Sequence, residues 1–109
     1  MTRLEIIRMI GDVLTEIDVT VGSLMPGDPA VTRLQDLRRL LDSRQLMLSR
    51  QTVNDNTVRF QQAAERLRAV NRQVKGTIGR IEDITRVIEN VARFLDAVTS
   101  FMGAIRVLR

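Results

Sequence analysis

The sequence predicts an all-α fold: an antiparallel helical hairpin over residues 2–51, followed by a long coiled-coil-like helix over residues 55–108 that is kinked or broken near residues 76–79. Two observations carry this prediction. From residue 53 onward an apolar row recurs every seventh residue, Val53, Phe60, Leu67, Val74, Ile81, Ile88, Leu95 and Met102, and a second row three places later includes Ala63, Val70, Ile84, Val91, Val98 and Ile105. A helix needs such a seam to keep one face against a partner along its length. Before it, two amphipathic stretches of nearly equal length are separated only by Met25-Pro26-Gly27-Asp28-Pro29. So short a connection favours antiparallel neighbours. Residues 1–109 read as one domain, and an up-down four-helix bundle is the alternative arrangement of the same elements.

The first helix should start at Thr2, because Thr2 and Glu5 have the spacing of a capping box, in which each side chain satisfies a backbone donor that the first turn leaves free. Its apolar row is Ile7, Ile10, Leu14, Ile17, Val21 and Leu24, widened by Leu4, Met9 and Val13. Pro26 and Gly27 then stop the helix, and Asp28 before Pro29 reads as N-cap and first helical residue of the next. The second helix carries Val31, Leu34, Leu37, Leu41 and Leu48 on one row, with Leu40 and Met47 beside it. Each arm is about 33 to 35 Å long at 1.5 Å per residue.

Propensity dips across Thr52-Val53-Asn54-Asp55-Asn56-Thr57, where Thr52 and Asp55 repeat the capping-box spacing. The seam also changes phase there, since Leu34, Leu41 and Leu48 lead to Asp55, so a break is expected. Within the long stretch, Gly76 and Gly79 together cost about 2 kcal/mol of helix propensity relative to alanine. The heptad phase nevertheless crosses them unaltered, which favours one helix of about 85 Å. Matching of arm lengths favours a bend and the four-helix bundle instead.

The flanks of the seam differ between its halves. From Val53 to Ile81 the positions preceding the first row are polar or charged (Thr52, Arg59, Arg66, Gln73, Arg80), as in a narrow pairing seam. From Ile84 onward the same positions are Val87, Phe94, Phe101 and Leu108, so the face widens to a stripe that needs more than one neighbour to cover it. The expected interaction face is therefore Ile84, Val87, Ile88, Val91, Phe94, Leu95, Val98, Phe101, Met102 and Ile105.

Composition removes most catalytic chemistry. The chain has no cysteine and no histidine, and with them go disulfides, thiolate nucleophiles, the commonest general base and the commonest transition-metal ligands. Neighbouring carboxylates at Glu82-Asp83 and at Asp12 and Glu16 read as solvated charges, and the Gly76-x-x-Gly79 pair has neither the preceding strand nor the lysine-hydroxyl pair of a phosphate loop. No enzyme activity, metal or cofactor is expected. The formal charge is +4, with residues 1–24 the acidic part and the middle of the chain the basic part. Arg59, Arg66, Arg68, Arg72 and Lys75 form a basic flank, but without interleaved exposed aromatics a nucleic-acid surface is the weakest of three functional readings.

The first reading is a non-enzymatic helical interaction or assembly module, acting by self-association or by binding a helical partner. The second is a membrane-active module using residues 84–108, whose broad face with Phe94, Phe101, Arg86, Arg93 and Arg106 has the make-up of an interfacial helix. The third is nucleic-acid binding through residues 59–75. Charges within the first apolar stretch rule out a signal-peptide core there, so synthesis in the cytoplasm is expected, with peripheral membrane attachment or signal-independent export left open.

Overall fold

The computed structural model describes residues 1–106 and contains four long α-helices: α1 (Arg3–Gly22), α2 (Pro29–Arg50), α3 (Val58–Thr77) and α4 (Ile84–Ile105). A single 3₁₀ turn, Ile81–Asp83, leads into α4, and no strand occurs among the described residues. The helices form two antiparallel hairpins, α1–α2 and α3–α4, laid side by side with α2 against α4 and α1 against α3. The chain runs up, down, up and down, so each helix has an antiparallel partner within its hairpin and a parallel neighbour across the pair.

The helix starts are set by local chemistry. The Thr2 and Glu5 side chains make the reciprocal capping box expected of them. Asp28 accepts from the Ala30 N–H with Pro29 as the first helical residue, and Gly27 takes the left-handed φ of 87° that lets the chain turn between the hairpin arms. The third start differs from expectation. Thr57, not Thr52, caps α3, its hydroxyl accepting from the Phe60 N–H at 3.1 Å, so the helix begins at Val58. Asp55 instead reaches across the molecule, where its Oδ2 accepts from the backbone N–H of Arg3 at 3.2 Å. A carboxylate is favoured at that free N-terminal donor of α1, close to the positive end of the helix dipole.

The chain breaks near residues 76–79 as expected and takes the four-helix alternative, so the continuous helix of about 85 Å expected on heptad phase does not exist. The helix stops at Thr77, Gly79 takes φ 89°, and α4 returns antiparallel to α3, so the molecule extends only 48 × 23 × 17 Å. The unbroken phase has a physical explanation in the burial pattern. On α3 the row Phe60, Leu67 and Val74 is buried, whereas its continuation meets Ile81, 43% exposed in the turn, and the half-buried Ile88. The core row of α4 is Val87, Phe94 and Phe101, one place earlier, together with Val91, Val98 and Ile105. What reads as widening of one seam is the change from one helix's core face to the next one's. Leu108 lies outside the described residues.

The two hairpins share one core. Phe60 on α3 and Phe101 on α4 meet edge to face with centroids 5.4 Å apart, and Ile6, Ile10 and Ile17 of α1 and Leu34, Leu41 and Leu48 of α2 complete it. Asn90 of α4 donates to the Thr77 hydroxyl at 2.7 Å and pins the start of α4 against the end of α3. On the other hairpin, Gly11 leaves room for Gln45, whose Nε2 donates to the Ile7 carbonyl at 3.0 Å; a β-carbon at Gly11 would lie 3.3 Å from that nitrogen. Arg38 grips Asp18 through two hydrogen bonds of 2.6 and 3.1 Å, and this bonding raises the guanidinium pKa.

The two glycines separate the bundle from a continuous rod in an experiment. Gly76 lies within α3 and a β-carbon there meets nothing, so Gly76→Ala should stabilise the protein by about 1 kcal/mol. Gly79 sits at positive φ, and Gly79→Ala should destabilise it by about 1 kcal/mol or more. Urea midpoints that move in opposite directions support the reversal; two upward shifts would mean helix through both positions.

Candidate functional site

The residues expected as an interaction face form the core of the folded chain. Val87, Val91, Phe94, Leu95, Val98, Phe101 and Ile105 are all buried, and Ile84, Ile88 and Met102 are half-buried at its margin. The premise behind the expected self-association, a rod with more apolar surface than one hairpin covers, falls with the rod itself, because α1 and α2 cover the stripe. None of the helices of the described residues is long and apolar enough to cross a membrane.

The five basic-flank residues are divided by the fold. Arg66 faces a shallow groove over the α3–α4 hairpin together with Ala97 and Ser100, and Arg59 lies exposed one heptad before it. Arg68, Arg72 and Lys75 instead line a cleft between α3 and α1, opposite Glu5, Arg8 and Asp12. Helices α1 and α3 are the most loosely packed of the neighbouring pairs. Although both signs of charge line this cleft, none of the ion pairs among the described residues crosses it; Arg68 pairs within its own helix with Glu65 at 3.4 Å. Asn71 stands in its wall, 6% exposed, with a buried Oδ1 that has no hydrogen-bond partner.

On the opposite side of the bundle, between α2 and α4, lies a cleft of about 850 Å³ that sequence reasoning did not find. Met47 and Met102 supply its apolar surface and Gly103 an open place in its wall. Arg44, Arg50 and Arg106 stand around it, with Gln51, Thr52 and Thr99 as the remaining lining and no acidic side chain among the described residues there. Its geometry is fixed by two bonds between the helices: Arg44 Nε donates to Thr99 Oγ1 at 3.3 Å, and Gln51 Nε2 donates to the Met102 carbonyl at 3.4 Å. Above the cleft Leu40 is 46% exposed and Met47 is 49% exposed, one heptad apart on the same flank of α2. The sequence signal was there in those two side chains beside the apolar row, but which face of α2 stays open depends on where α4 lands.

Arg50 and Arg106 sit at the C-terminal ends of α2 and α4. Each helix end carries about half a negative charge, so two of the three guanidinium groups are partly offset and the cleft stays positive. It combines flexible thioethers, a side-chain type that adapts to apolar surfaces, with planar cations, whose geometry matches carboxylates at two points. Among the described residues no group of three or more acidic, His or Cys side chains is arranged to hold a metal ion. No protein-family model, curated protein or solved structure matches the chain.

The buried amides make a test of the assignments within this architecture. Asn71→Leu removes an unpaired acceptor in favour of a side chain of similar volume and should raise stability by about 1 kcal/mol. Asn90→Leu should lower it by a similar amount, because Thr77 loses its donor. Chemical denaturation of both variants checks this; destabilisation by Asn71→Leu would mean that the amide has a partner.

Proposed function

We propose that the protein is a non-enzymatic helix-binding module whose α2–α4 cleft accepts an acidic amphipathic helix of a partner protein. The observation that carries this reading is the combination at one place of methionine surface and three arginines, with no opposing carboxylate among the described residues. A groove between two parallel helices presents apolar contacts at the spacing of a third helix. The stretch from Leu40 to Gln51 is about 16 Å long at 1.5 Å per residue, enough for three turns of the guest. Leucine or methionine on the guest would cover Met47, Met102 and Leu40, and glutamates on its flanks would meet Arg44, Arg50 and Arg106.

This reading keeps the bundle closed. The membrane reading through residues 84–108 requires the core to open first, because the apolar side chains it needs within α4 are those holding that helix in place. Arg59 and Arg66, separated by the fold from Arg68, Arg72 and Lys75, leave the nucleic-acid reading without one continuous basic stripe.

A designed helical peptide with leucines at i, i+3, i+4 and i+7 and glutamate flanks is the direct probe, monitored by fluorescence anisotropy. It should bind with micromolar affinity, more weakly as salt rises, and the same peptide with lysine flanks should bind at least about tenfold less well. Arg44→Glu with Arg106→Glu should reverse that preference, and Met47→Glu should weaken both. Equal affinity for the two peptides, or none for either, would sink the proposal.

A further inference from the structure

The α2–α4 cleft has a direction. Helices α2 and α4 run parallel, and two bonds fix their levels: Arg44 stands beside Thr99, and Gln51, just past the end of α2, reaches the Met102 carbonyl. All three arginines of the lining therefore lie in the half of the groove towards the two C-terminal ends. Arg50 is in the last turn of α2, Arg106 is the residue that ends α4, and Arg44 is about a turn and a half above Arg50. The other half differs. Leu40 is 46% exposed there, and Arg39 beside it is engaged by Asp36 at 3.5 Å. On α4 the exposed Asp96 precedes Thr99 by three residues, which places it one turn further up on the same side of the helix.

We infer that the guest helix runs antiparallel to α2 and α4 and carries its acidic residues in its own first two turns, with a cation near its C-terminal end. This rests on the helix-binding reading above and adds the direction and the charge pattern of the partner. Three contributions favour the same direction. A helix carries about half a positive charge at its N-terminus and about half a negative charge at its C-terminus. An antiparallel guest therefore brings its positive end to the two negative ends of α2 and α4, whereas a parallel guest would bring three negative ends together.

The second contribution comes from the guest itself. Carboxylates in a first turn stabilise a helix and carboxylates in a last turn weaken it. Antiparallel docking lets the same side chains do both tasks: those of the first turn meet Arg50 and Arg106, and those of the next meet Arg44. A parallel guest would reach these arginines only with carboxylates in its last turns. The third contribution lies at the far end, where Asp96 favours a lysine or arginine, and the last turn of the guest favours the same charge. Gly103 lies at the arginine end, and nothing stands within 4 Å of a β-carbon placed there, so the first turn of the guest has room to approach.

Nuclear magnetic resonance of the isotopically labelled full chain tests the direction. The probe is a designed helical peptide with glutamates in its first two turns, leucines on one face and a lysine in its last turn, carrying a nitroxide at one end or the other. The N-terminal nitroxide should broaden the amide signals of Gln51, Thr52 and Gly103 and spare that of Leu40; the C-terminal nitroxide should do the reverse. A peptide of reversed sequence, with both peptides stapled so that each is fully helical when free, should bind about tenfold less well. Asp96→Lys should weaken the first peptide about threefold and leave unchanged a version ending in glutamine. Broadening with the ends exchanged, broadening alike from both nitroxides, or equal affinity for the two sequences overturns the inferred direction while the cleft stands as a helix site. No binding by either peptide overturns the helix-binding reading and the direction with it.

Discussion

The structure depends on covering the apolar stripe of α4. Val87, Val91, Phe94, Val98 and Phe101 are each no more than 3% exposed, and burying such a side chain contributes about 1.5–3 kcal/mol. Several of them together outweigh any preference for continuing α3 as a straight helix, the more so because Gly76 and Gly79 already weaken that continuation by about 2 kcal/mol. The chain therefore turns back at Gly79, and every other feature follows from where α4 comes to rest. It packs against α3 in its own hairpin and against α2 in the other, and so joins the two hairpins into one core.

Much of this was legible in the sequence, and the part that was not has a physical reason. Thr2 with Glu5, and Asp28 with Pro29, are short-range signals whose chemistry is complete within a few residues, and both hold in the structure. The antiparallel hairpin of α1 and α2 follows from them. The end of α3 was harder to read, because a periodicity of seven does not distinguish one helix from two that face the same core. The distinguishing signal was the shift from Leu67 and Val74 to Val87 and Phe94, which reads equally as a broader face. Asp55 illustrates the same limit at smaller scale: its spacing from Thr52 fits a local cap, yet it caps α1 from a distance. The α2–α4 cleft was invisible for a related reason, since Arg44 and Thr99 are brought together only by the packing of two helices.

With its widest apolar face turned inward, the protein meets its surroundings through polar and mixed surfaces. The two long sides of the bundle differ in kind. On one, Met47 and Met102 lie among arginines; on the other, acidic and basic stripes run side by side above the unpaired Asn71 amide. The first offers a cationic and adaptable surface, the second a surface of mixed charge. Hydrogen bonds such as Gln45 to Ile7 and Asn90 to Thr77 hold the helices that frame them, which makes both surfaces preformed rather than assembled on binding.

The reversal between α3 and α4 is the central claim, and a distance across it is the most direct measurement. The chain has no cysteine, so spin labels introduced at Arg66 and Ser100, two exposed residues bordering the same groove, report without background. Diluted with unlabelled protein to suppress distances between copies, the pair should give a narrow distribution below about 25 Å, as neighbouring helices with axes about 10 Å apart require. A continuous helix would separate the same two positions by about 51 Å at 1.5 Å per residue, and a distribution centred there would contradict the account.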